Sequence, residues 1–80
     1  MGNAVIRIQL NHPASVSAED WPNYAAHVAD AVTQHWPDAD VQVTETHDAT
    51  AFGVQGGENP VAIWSGLPDV VGAAQDRWGV

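Results

Sequence analysis

Ten carboxylates against two arginines and no lysine give this 80-residue chain a formal charge of −8 at pH 7. A surface of that sign repels nucleic acid and anionic membrane and draws basic partners by long-range steering. The chain has no cysteine, which excludes a disulfide framework and thiolate metal sites, so packing alone must hold a domain of a size that buries only about 60% of its unfolded surface.

Residues 4–10 alternate, with Ala4, Ile6, Ile8 and Leu10 on one side and Val5, Arg7 and Gln9 on the other, which predicts a strand with one buried face. Asn11-His12-Pro13 ends it, because proline cannot donate to a ladder. A helix is expected from Ser17 to about His35. Trp21, Tyr24, Ala25, Val28, Val32 and then His35 or Trp36 form one apolar stripe, opposite Asp20, Asn23, His27, Asp30 and Gln34. Ser17 and Asp20 resemble a capping box, and Pro22 makes Asp20 the effective cap with the proline inside the first turn. Trp36-Pro37-Asp38 stops this helix.

Residues 40–47 read as a second strand, Val41 and Val43 inward and Gln42, Thr44 and Thr46 outward. Strand, helix, strand in this order suggests a βαβ unit with a right-handed crossover. After a turn at His47-Asp48-Ala49, Phe52 and Val54 share a face of a short third strand. Gly56 to Pro60 is a turn, and Val61–Trp64 is expected as a fourth short strand or a continuation of the sheet. Pro68 then opens a last helix as an N1 residue, with Asp69 in its first turn. Leu67, Val70, Val71, Ala74 and Trp78 are its apolar stripe, Gly79 its end, and Gly72 within it costs about 1 kcal/mol relative to alanine.

The expected fold is therefore a single α+β domain over residues 1–80, β-α-β-β-(β)-α, with both helices on one face of a mixed sheet and the other face partly open. Trp21, Trp36 and Trp78 are expected in the core. Trp64 and Ala62, with Val5, are expected on the open side of the sheet. No segment is apolar for long enough to cross a bilayer, the N-terminus lacks the basic start of a signal peptide, and Gly2 makes no myristoylation site because Ile6 stands where that signal needs Ser or Thr. A cytoplasmic protein is the expectation.

No catalytic, cofactor-binding or metal-binding residue is assigned from the sequence. His27 and His35 are about 12 Å apart along a helix, too far for one ion, and the ordinary reading of the four histidines is surface and boundary polarity. Only His12 and His47, both at strand ends and with Asp48 beside them, have a route to converge. A triad from His47, Asp48 and Ser65 finds no support in spacing, since adjacent residues of a strand point to opposite faces. Glu45 shares the pleat of Val41 and Val43 but is placed where the sheet ends and is wet. Gly56-Gly57 lacks the lysine and length of a phosphate loop and carries Glu58, so it reads as a turn.

What remains is charge and tryptophan. Asp20, Asp30, Asp38, Asp40, Asp69 and Asp76, joined by Trp64, are the expected partner-binding residues of a non-catalytic module that docks on a basic protein surface. In the sharpest form that module is an inhibitor occluding the nucleic-acid-binding surface of a nuclease or defence effector. A homo-oligomeric subunit using the exposed sheet face is the second expectation, and a small metal-binding domain or enzyme the third. The plain alternative for the acidity is solubility or a saline habitat.

Overall fold

The computed structural model describes residues 3–79, so the reading made at Gly2 lies outside them. Five elements follow one another: β1 (Val5–Asn11), α1 (Trp21–His35), β2 (Asp40–Thr46), β3 (Ala51–Gln55) and α2 (Pro60–Trp78). The sheet order is β2-β1-β3, with β1 parallel to β2 and antiparallel to β3. The α+β class and the mixed sheet expected from the sequence are therefore present, in the order β-α-β-β-α.

β1 is central because its alternation is the strictest in the chain. Ile6, Ile8 and Leu10 are completely buried, while Arg7 and Gln9 are exposed on the opposite face. Val41 and Val43 from β2 and Phe52 and Val54 from β3 flank that apolar row and are half-buried. Both helices cover this one side. Tyr24, Val28 and Val32 of α1, spaced four residues apart, and Leu67, Val71 and Ala74 of α2 complete the core. The helices run antiparallel: Tyr24 meets Trp78 near one end, and Trp36 packs at Gly66 near the other. Gly66 is small for that reason, since a Cβ there would lie 3.2 Å from the Trp36 indole.

Several expectations are corrected. Residues 61–64 do not form a strand but the first turns of α2, which starts at Pro60 and not at Pro68. The Asn59 side chain accepts the Ala62 N–H at 3.2 Å, and Pro60 takes the first helical position, a complete start signal that the short apolar run after it concealed. Pro68 consequently lies inside the helix, where it removes the N–H that would bond the Trp64 carbonyl. Its ring sits on an exposed face, and buried Leu67 and Val71 on either side hold the helix through it.

Trp64 thus belongs to α2 and not to the open side of the sheet. It is 54% exposed, and its indole N–H donates to the Phe52 carbonyl at 3.3 Å. Trp21 and Trp36 pack half-buried against the core as expected, but Trp78, the last helical residue, is exposed along one edge. At the start of α1, Asp20 occupies the cap position but its side chain makes no cap bond. Ser17 Oγ instead accepts the Asp20 N–H at 3.2 Å, fixing a separate turn over 18–20.

Candidate functional site

The end of the domain where β1 and β2 finish gathers the rings of His12, His47, Trp21 and Tyr24. Parallel register brings Leu10 beside Glu45 and Asn11 beside Thr46, so His12, two residues past Leu10, emerges next to the Glu45 carboxylate. His12 Nδ1 bonds Glu45 Oε2, and Nε2 bonds the Val16 carbonyl at 2.6 Å. A carbonyl and an ionised carboxylate can only accept, so this pair of contacts favours the doubly protonated ring. The Val16 carbonyl and then the Glu45 carboxylate raise the His12 pKa above its usual value, against a smaller lowering from desolvation.

The ring also stacks on Trp21 with centroids 4.8 Å apart, a geometry in which an imidazolium gains from the indole face. His47 lies nearly parallel to it at 6.3 Å. Further bonds tie the same end: the Asn11 N–H to Thr50 Oγ1 at 3.0 Å, the Asn11 side-chain amide to the Asp48 carbonyl at 2.9 Å, and the His12 N–H to the Thr46 carbonyl at 3.0 Å.

His12 and His47 therefore do converge, as their places at strand ends allowed. Asp48 contributes its backbone carbonyl to Asn11, and no group of three or more His, Asp or Glu side chains is arranged for a metal among the described residues. Both His12 nitrogens are engaged in hydrogen bonds within the domain. Ser65 lies in the first half of α2, towards the opposite end of the sheet from His47, so the triad considered from the sequence is not assembled. His27 Nε2–H donates to the Ala74 carbonyl at 2.8 Å and joins the two helices.

The acidic residues have a different character. All ten carboxylates, among them Asp20, Asp30, Asp38, Asp40, Asp69 and Asp76, are exposed. Among the described residues the sole carboxylate within ion-pair distance of a basic group is Glu45, on His12. Arg7 stands on the open sheet face between Gln42 and Gly53, and Arg77 borders the groove between the helices together with Asp69. The negative charge is thus left uncompensated by arginine.

The carboxylates are distributed and not gathered on one face. Asp20 sits at the end where β1 finishes, and Asp38, Asp40 and Glu58 at the end where it begins. Seven strand residues separate the ends by about 20 Å, well beyond a Debye length of about 8 Å at physiological salt. Each end consequently acts on its own. At the second end a groove of about 580 Å³ runs between the entry of β2 and the start of α2, with Trp36, Pro37 and Ile63 in its walls and Asp38 and Glu58 among its lining residues. Those surroundings suit the apolar stem and charged head of a lysine or arginine. Of the groove's lining, Asp38 was legible in the sequence as a partner-binding residue and Glu58 and Trp36 were not, because the groove exists only once 61–64 is helix; Asp40 lies at the same end but outside the lining.

Comparison of the chain with protein-family models, curated proteins and solved structures finds no significant match, so its own residues carry the functional reading.

Proposed function

We propose that this protein is a non-catalytic, acidic interaction module that docks on a basic surface of a partner protein. In its sharpest form it inhibits a nuclease or defence effector by occluding the surface on which that partner binds nucleic acid. The observation behind this reading is that every carboxylate is exposed and no arginine neutralises one among the described residues. Such a field raises the rate and specificity of encounter with a positive patch. The occupied nitrogens of His12 support a non-catalytic role, because the best-placed imidazole in the chain is used in bonding the loop over 13–16.

Asp38, Asp40 and Glu58, which share one end of the domain, form the centre of the docking surface, with Asp20, Asp30, Asp69 and Asp76 as outlying contacts. The test is affinity capture from the native host at low and high salt, using the wild type and two charge-reversed variants. One variant changes Asp38, Asp40 and Glu58 to lysine, and the other changes Asp20, Asp30, Asp69 and Asp76. A partner captured at low salt should be released at high salt and lost in the first variant, with circular dichroism unchanged. Capture that is indifferent to salt and to both variants refutes the proposal.

A further inference from the structure

One stretch of the surface departs from the acidic rule. From Ala49 to Gly57 the chain carries no ionisable side chain, and these residues include all of β3, an edge strand. The opposite edge, β2, carries Asp40 and Glu45 and is flanked by Asp38 and Asp48. Charge on an edge is a standard guard against pairing with another chain, so one edge of this sheet is guarded and the other is not.

The backbone of β3 is set for such pairing. Ala4 and His12 turn their bonding groups towards β2, and Asn11 turns its N–H towards the β3 side, so the odd-numbered residues of β1 face β3. Their partners are Ala51, Gly53 and Gln55. Phe52 and Val54 consequently aim their N–H and C=O groups outward, consistent with the Phe52 carbonyl accepting from Trp64 and not from β1. These outward residues are placed symmetrically about Gly53. A two-fold axis at Gly53 pairs Phe52 of one chain with Val54 of the other, each exchanging both bonds. The Phe52 carbonyl has a second lone pair for this, beside the one Trp64 uses.

The flank of α2 above this edge carries an uncharged stripe, bordered on the side away from the sheet by Asp76. At 100° per residue Val61, Pro68 and Gly72 fall within about 40° of one another, on the side of the helix away from Gly66 and Val70, which face α1. Trp64 borders that stripe on the sheet side. Val61 at 71% and Trp64 at 54% are the most exposed large apolar residues described. An incoming lone strand would satisfy the edge and leave this flank wet. A second copy supplies both a strand and an α2, because pairing about Gly53 sets the two helices side by side on the same face of a continuous sheet. Trp64, bonded one residue from the axis, lies next to its symmetry mate. The charge of −8 on each chain acts least where the contact itself is neutral.

We propose that the protein forms a two-fold dimer by antiparallel pairing of β3 with β3, sealed by Val61 and Trp64 of the facing helices. The test is sedimentation equilibrium of the full chain over a range of concentration and salt. The wild type should approach twice the 8.5 kDa chain mass, and more readily at high salt as repulsion is screened. Trp64→Glu should weaken association at least about 30-fold, as expected of a hot-spot tryptophan, and Val61→Glu should weaken it too, both with unchanged circular dichroism. Gln9→Glu on the open sheet face should leave it unaltered. A chain that stays monomeric at high concentration and high salt overturns the proposal, as does a dimer that survives both α2 variants or is dissociated by Gln9→Glu. The opposite response to salt separates this contact from docking on a basic partner.

Discussion

Replacing Gly72 by alanine should stabilise the domain. Gly72 lies in the interior of α2 with no positive φ, so its backbone is one that alanine adopts readily. An ideal Cβ built there meets nothing within 4 Å outside its own helical turn, so no packing opposes the change. The gain is then the difference in helix propensity, about 0.8–1.0 kcal/mol. For a chain of 80 residues with total stability on the order of 4–12 kcal/mol, that raises Tm by about 4–8 °C. Gly66→Ala provides the contrast. It gains the same propensity, but its Cβ would lie 3.2 Å and 3.4 Å from two atoms of the Trp36 indole, which must shift by a few tenths of an ångström. Urea and thermal unfolding followed by circular dichroism, at concentrations where the chain is monomeric, should therefore rank Gly72→Ala above Gly66→Ala and above the wild type. A neutral or destabilising Gly72→Ala, or the reverse ranking, would mean that the flank at Gly72 is not open, and the reasoning fails.

Two further outcomes concern buried and charged hydrogen bonds. Tyr24 is completely buried, and its hydroxyl accepts from the Gln75 amide at 3.1 Å, so Tyr24→Phe should lose about 1 kcal/mol in urea unfolding. Adding Gln75→Ala should cost little more, because the bond is already gone. His12 should titrate above the ordinary histidine value of 6.5 in proton NMR. Because the folded pKa is the higher one, the native state binds more protons in the interval between the two values. The His12 contribution is then complete below 6.5 and fades as pH rises through the folded pKa, and His12→Gln should remove that slope.

The strands and α1 were legible in the sequence because each has a single period. Ile6, Ile8 and Leu10 alternate over enough residues to exclude a helix, and Tyr24, Val28 and Val32 repeat at four. The start of α2 was not. Val61-Ala62-Ile63-Trp64 is a short apolar run that fits strand and helix alike, and Pro68 offered a start that local rules favour. What decided it is Asn59 capping Ala62, together with Ile63 packing against the core on the same helix as Leu67 and Val71. The exposure of the aspartates was legible from composition, since almost no countercharge exists to bury them with. The His12–Glu45 contact was half legible: Glu45 was placed on the helix side at the sheet end and His12 at the end of β1, but the stacking on Trp21 depends on how the loop over 13–20 returns.

The distribution of charge also sets a limit on assembly. Pairing through β3 consumes the unguarded edge of each chain, and the two edges left at the ends of the continuous sheet are both β2. Those edges carry Asp40 and Glu45, with Asp38 and Asp48 close by, so a third chain would have to bring like charges together along the strand it joins. An isologous contact uses the same patch on both partners and leaves nothing complementary for growth. Taken together, the two proposals give acidity two effects in one molecule: it would end the sheet at two chains and leave Asp38, Asp40 and Glu58 of both copies exposed. Neutralising Glu45 alone bears on the first effect and not on the second, because Glu45 lies at the other end of β2 from the groove.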